Sequence, residues 1–137
     1  MDNDLISYRS IFEPDVIITV IFKENENYET LKPIFDEYGY GFFSPYNNTI
    51  MIDGDFFISS DDLNINDLRF VEAHEISHLI LGHDGPRSDD DELDADLGAY
   101  VLLKRNNLST KRLEDEFEHR HGIKFNKKLL VRIENML

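Results

Sequence analysis

The sequence predicts an α+β fold: a small, mainly antiparallel sheet packed against one helix that carries a His-Glu-x-x-His motif, followed by an all-helical C-terminal part. Three observations predict it. Runs of β-branched and aromatic residues separated by turn residues are confined to the first part of the chain. From Asn66 onward the apolar residues recur at helical spacing. The 137 residues, 41% of them apolar, suffice for one core, so residues 1–137 are read as a single domain.

The first element is "VIITVIFK", Val16 to Lys23, a β-branched apolar run of the kind found in a buried strand. "NYETLKPIFDEYG" follows, with Leu31, Ile34, Phe35 and Tyr38 on one helical face and Gly39 as the stop. "YGFFS" and "TIMID" flank the turn-rich "PYNN" and predict two hairpin strands, the second closed by Asp53-Gly54. Helices are then expected at about 67–82, about 90–105, about 110–120 and from about Asn126 to the end. The acid run "RSDDDELDAD" fits the solvated start of the second of these, where carboxylates complement the helix dipole.

Composition narrows the function classes. A formal charge of -14, from 28 acids against 14 bases, repels phosphate backbones and anionic lipid, so neither direct nucleic-acid binding nor a membrane role is expected. There are no cysteines, which excludes disulfides, thiolate metal sites and a cysteine nucleophile. The start "MDNDLISYRS" has acids where an export signal needs bases, and no apolar run approaches the ~18 residues of a membrane span. A cytosolic protein is expected. Nothing here specifies an oligomeric state.

The informative stretch is "RFVEAHEISHLILGHD", Arg69 to Asp84. His74 and His78 are four residues apart, so on a helix their imidazoles converge on one cation. Glu75 occupies the HExxH position from which a glutamate takes a proton from the water that the metal activates, without itself being a ligand. Helical geometry puts Val71, His74, Glu75, His78 and Gly82 on one face and Ala73, Ile76 and Ile80 on the opposite, core-facing one. With this composition HExxH arises by chance in about one or two per cent of sequences, so the motif needs a third ligand to support it.

His83 is a poor third ligand. On a continued helix it points about 140° away from His78, and Gly82 is placed to cap the helix before it. Asp84 would serve in an HExxHxxGxx-Asp pattern, but Leu81 stands where that pattern needs its glycine. In "DELDADLGAYVLLKR", Glu92 and Asp96 are one turn apart on a stripe that continues through Ala99 and Leu103, whereas Asp94 lies about 160° or more from it. Glu92 is therefore the expected third ligand. Asp96 is expected to accept the second N–H of a ligand histidine and hold its tautomer. Imidazole and carboxylate do not choose a metal by themselves, so one zinc ion is expected with manganese as the alternative.

HExxH on one helix and "ELDAD" on the next resembles the gluzincin metallopeptidases, whose second helix carries ExxxD. More narrowly, residues 49–105 resemble the ImmA/IrrE family of small bacterial and phage-associated metallopeptidases. Arg69, Phe70, Ala73, His74, Glu75, His78 and His83 match that family's first motif, and Glu92, Ala95, Asp96, Leu102 and Leu103 its second. Asp94 stands where the family usually has a second glutamate, which leaves residue 94 as the alternative ligand to Glu92. The resemblance implies a regulatory target such as a phage or stress repressor. It also extends to a helix-turn-helix-like tail in "LEDEFEHRHGIKFNKKLLVRIENML". Lys127, Lys128 and Arg132 make a weak basic face in so acidic a chain, so packing is the expected job there, with His119 and His121 at the surface.

The expected activity is thus a zinc-dependent metallopeptidase acting on a protein or peptide substrate, with Glu75 as general base and Tyr100, one turn beyond Asp96, as a donor to the developing oxyanion. The edge from Tyr46 to Asp53 offers a place for a substrate to add as a strand. Two other classes fit parts of the pattern. One is a binding module with a structural metal, which would need a fourth protein ligand in place of an open position. The other is an acidic decoy of a DNA-binding protein, which explains the charge but not the histidine spacing.

Overall fold

The computed structural model describes residues 4–38, 41–57, 65–83 and 88–137. The fold is mixed α+β. Its strands are β1 (Leu5–Arg9), β2 (Ile17–Ile21), β3 (Gly41–Ser44) and β4 (Thr49–Asp53). Its helices are α1 (Tyr28–Tyr38), α2 (Ile65–Ile80), α3 (Asp89–Arg105), α4 (Lys111–His121) and the short α5 (Val131–Glu134), with 3-10 turns at Gly54–Phe57 and Lys127–Leu130. Contacts divide the chain into two compact units, Met1–Asn64 and Ile65–Leu137. Among the described residues no helix is long and apolar enough to cross a membrane.

The first unit holds a four-stranded sheet in the order β1-β2-β4-β3. The pairings β1·β2 and β3·β4 are antiparallel, and β2·β4 is parallel, with Ile18 opposite Ile50 and Val20 opposite Ile52. A parallel pair needs a crossover, and α1 with β3 supplies it. One face of the sheet joins α1 in a cluster of Ile21, Tyr28 and Phe35, with Leu31, Phe42 and Met51 packed around it. Tyr28 also donates its hydroxyl to Asp53 Oδ1 at 2.9 Å, so burial and then that carboxylate push its pKa up. The alternate residues of β2 and β4, Ile18, Val20, Ile50 and Ile52, are fully buried.

Two expectations change here. β1 has no signature in the sequence pattern: "LISYR" has no in-out alternation, its residues are mostly exposed, and only its pairing with β2 makes it a strand. The edge expected at Tyr46 to Asp53 does not exist, because β4 is paired on both sides and the outer strands are β1 and β3. The sequence pattern shows the β3–β4 hairpin but cannot show that β2 returns to the other side of β4. Gly39, the expected stop of α1, lies outside the described residues.

The second unit is helical, and its most extensive packing is between α2 and α3. α3 begins at a capping box: Asp91 N–H donates to Ser88 Oγ at 3.1 Å and Ser88 N–H to Asp91 Oδ2 at 3.3 Å. Four acids occupy its first turn, and Lys104 and Arg105 its last, matching both ends of the dipole. Arg105 also donates to the carbonyls of Glu134 and Leu137, which ties the C-terminal segment to α3. That segment is tighter than the expected single helix: Asn126 caps a 3-10 turn that passes into α5, burying Leu130 and Ile133. α2 is buried on all sides from Phe70 to His78, so it lacks the polar face of a surface helix, and Ile80, expected in the core, is 39% exposed beyond that stretch.

α2 and α3 meet where Gly98 faces Ser77. A Cβ at residue 98 would fall 2.6 Å from Ser77 Oγ and 2.8 Å from Ser77 Cβ, and Ser77 is wholly buried with its hydroxyl bonded to the Ala73 carbonyl. Helix propensity alone would make Gly98→Ala stabilising by about 1 kcal/mol. The contact predicts the opposite sign, a net loss of about 1–3 kcal/mol on urea unfolding as in other overpacked interiors. Introducing Ser77→Gly first should remove most of that loss, and a stabilising Gly98→Ala in the wild-type background would refute the close approach.

Candidate metal centre

The site lies entirely within the second unit, on α2, α3 and α4. His74 and His78, one helical turn apart, bring their Nε2 atoms to 3.1 Å. The Glu92 carboxylate straddles them, with Oε2 3.1 Å from His74 Nε2 and Oε1 3.2 Å from His78 Nε2. All three residues offer a ligand atom within 4.8 Å of the others, a group that can hold a metal ion. Both histidines are about 1% exposed, and the Glu92 side chain is a third exposed.

The outer nitrogens decide what the inner ones present. His74 Nδ1 lies 2.7 Å from Asp96 Oδ1. A carboxylate only accepts, so this nitrogen carries the proton, and a neutral His74 turns a lone pair at Nε2 toward His78 and Glu92. His78 is held in a parallel way by His83: the two Nδ1 atoms are 2.9 Å apart, and His83 Nε2 faces Asp91 Oδ1 at 3.5 Å. With the His83 proton on Nε2 toward that carboxylate, its Nδ1 accepts, His78 Nδ1 donates, and His78 Nε2 is also a bare lone pair. Three acceptors therefore converge. A tetrahedral ion with bonds of about 2.0–2.2 Å keeps its ligand atoms roughly 3.3 Å apart, close to the 3.1 Å between the two Nε2 atoms, each of which has a different Glu92 oxygen at a similar distance.

The electrostatics agree with this arrangement. A proton on an inner nitrogen can stand in for a cation there: burial raises the Glu92 carboxyl, but hydrogen bonds and charge from His74 and His78 in that protonated form outweigh it and hold the group well below the ordinary carboxylate range. The Asp96 carboxyl is likewise raised by burial and lowered more strongly by His121, His74 and Arg120. Both acids are ionised wherever the histidines can act as ligands.

His83 reaches His78 through the end of α2. Gly82 has φ +74, its N–H donates to the Leu79 carbonyl at 3.2 Å, and His83 N–H donates to the His78 carbonyl at 3.0 Å. This is a Schellman turn, in which the residue after the glycine contacts the one five positions earlier. Here that contact is imidazole on imidazole, with ring centroids 5.1 Å apart. His83 is thus outside the ligand group, as its direction on a helix implies, but the turn makes it the partner of a ligand. The spacing of His78, Gly82 and His83 is the signal for it in the sequence. Asp84 lies outside the described residues.

The remaining candidates separate clearly. Asp94 is bound by Arg132 through two contacts of 2.6 and 3.1 Å, away from the histidines. Glu75 is buried, at 5% exposure, and belongs to the same helical turn as the two histidines. Its neighbour Glu72, with no exposure at all, is neutralised by Arg69 at 2.7 Å. The described contacts of Tyr100 are with Phe125 and Lys104. Eight residues beyond Glu92 on a straight helix is about 12 Å along the axis, and the Tyr100 ring packs on Phe125 at 4.6 Å. That ring lines a recess with Lys104, Lys127 and Leu130, whereas Glu92 lines another of about 440 Å³ with Asp89, Asp90, Leu93, Arg120 and His121.

His121, expected at the surface, is instead a partly buried partner of Asp96. Its Nε2 lies 2.5 Å from Asp96 Oδ2, and its side chain is 8% exposed. Arg120 joins it, with Nε 2.8 Å from Oδ2 and Nη2 3.2 Å from Oδ1 of the same carboxylate. No local pattern marks a partner 24 or 25 residues away, so neither contact is visible without the docking of α4 on α3. His119, in contrast, is exposed.

Elemental analysis of purified variants tests the centre. His74→Ala and His78→Ala should each lose stoichiometric metal, and Glu92→Gln should weaken binding strongly in a chelator competition. Asp94→Asn should change little, because its partner is Arg132; a larger effect at Asp94 than at Glu92 would overturn the ligand set. No family model matches the chain, and no curated protein or solved structure is significantly similar to it.

Proposed function

We propose that the chain is a zinc-dependent metallopeptidase that cleaves a peptide bond in a protein partner. The observation that carries this reading is the convergence of three lone-pair donors from His74, His78 and Glu92, with a buried non-ligand glutamate, Glu75, between the two histidines in sequence. A structural ion would need a fourth protein ligand, and the group that can hold an ion has three members among the described residues. The resemblance to the ImmA/IrrE family supports the same activity and suggests a regulatory repressor as substrate.

A zinc ion bound there would supply Lewis acidity and bring the pKa of a water to about 7. The remaining steps belong to side chains. Glu75 takes the proton as the water's oxygen attacks the carbonyl carbon and returns it to the amine as the C–N bond breaks. Asp96 and His83 hold the Nδ1 sides of the two imidazoles and aim their Nε2 atoms inward. Arg120 and His121 line the recess onto which Glu92 opens, the side from which a chain can approach.

The test centres on Glu75. A co-purified or genomically neighbouring protein is incubated with the metal-loaded chain and followed by mass for new termini. Wild type should cut it, chelator should abolish cutting, and Glu75→Gln should keep the metal while losing about 10²–10⁴-fold in rate. Cleavage by Glu75→Gln at the wild-type rate would discard the mechanism. Chelator-sensitive binding of that partner without any cleavage would instead favour a metal-stabilised binding module.

A further inference from the structure

We infer that the C-terminal turn of α4 is part of the metal centre, with Arg120 and His121 acting as positioning residues that aim His74 at the metal through Asp96. The inference rests on the proposed metal site and extends it to residues that do not touch the ion.

The capacity of one carboxylate comes first. Asp96 has no exposure and receives four N–H groups: His74 Nδ1 and Arg120 Nη2 on Oδ1, and Arg120 Nε and His121 Nε2 on Oδ2. A carboxylate offers about four lone-pair sites, so Asp96 is saturated and has no spare direction in which to turn. The Arg120 fork is planar and engages both oxygens, which fixes the plane of the carboxylate as well as its position. The plane sets the line along which Oδ1 meets His74 Nδ1. That line sets the direction of the opposite nitrogen, the ligand.

The two positioning residues are themselves held. The Arg120 guanidinium lies over the Phe70 ring at 5.6 Å, and the His121 ring packs on Phe117 at 4.7 Å. α4 ends directly after them at Gly122, whose N–H donates to the Glu118 carbonyl. A purely structural role would need only that the Asp96 charge be neutralised, which one cation achieves. Four directed bonds from three residues constrain orientation as well, and orientation is what a ligand requires.

The experiment uses the full chain and reads zinc affinity by competition with a chromophoric chelator, together with the visible absorption of the cobalt-substituted protein. Arg120→Met keeps the stem and removes the fork; His121→Phe keeps the ring and removes the N–H; His121→Gln returns an N–H near the same place. Arg120→Met and His121→Phe should each weaken zinc about 10–100-fold, the range for partners of metal ligands, and shift the cobalt bands. His121→Gln should recover most of both. Arg132→Met, which breaks a contact to Asp94 on the same helix, should leave affinity and spectrum at wild-type values. If Arg120→Met fails to fold, the two His121 variants decide the matter.

Wild-type zinc affinity and an unchanged cobalt spectrum in folded Arg120→Met and His121→Phe would overturn the inference while leaving the metal site intact. Loss in His121→Phe without recovery in His121→Gln would also overturn it, since the N–H would not be the cause. A wild-type chain that binds neither zinc nor cobalt would remove the metal reading and this inference together.

Discussion

Burying the Asp96 carboxylate constrains the second unit more than any other single interaction. An isolated charge in a protein interior costs several kcal/mol even after relaxation, so it persists only if paired and hydrogen-bonded. The partners come from His74 on α2 and from Arg120 and His121 on α4, while Asp96 itself is on α3. Three helices are therefore fixed relative to one another by a polar contact with definite directions. Apolar burial of Leu97, Leu103, Leu113 and Phe117 supplies cohesion but tolerates small slides and rotations that these bonds do not.

The same arrangement explains why two histidines sit buried beside a carboxylate. Each has its outer nitrogen occupied, His74 by Asp96 and His78 by His83, and each turns its inner nitrogen to Glu92. The two holds differ in origin. Asp96 acts across helices and depends on packing, whereas His83 acts within one chain reversal and depends on the positive φ of Gly82. Close passage of α2 and α3 at Ser77 and Gly98 then brings Glu92 within reach of both rings.

Much of this site is legible in the amino-acid sequence. The spacing of His74 and His78 gives their shared face directly, because an α-helix repeats every 3.6 residues. Glu92 and Asp96 are separable from Asp94 by the same reasoning, and the structure places Asp94 against Arg132 instead. The acid run at the start of α3 and the β3–β4 hairpin also carry local signatures. The features that escape such reading share one property. β1, the parallel pairing of β2 with β4, the Tyr100 environment and the partners of Asp96 all depend on segments distant in sequence.

By itself, then, the sequence determined which residues share a helix face, roughly where α2, α3 and α4 lie, and that the chain is acidic and free of cysteine. Those properties follow from short-range geometry and from composition. Only the tertiary structure decided that β4 is interior, that His121 is a partner of Asp96, and that the Tyr100 ring packs on Phe125. The physical reason is range: helical periodicity acts over a few residues, whereas the approach of α4 to Asp96 depends on how whole surfaces pack, which no local pattern encodes.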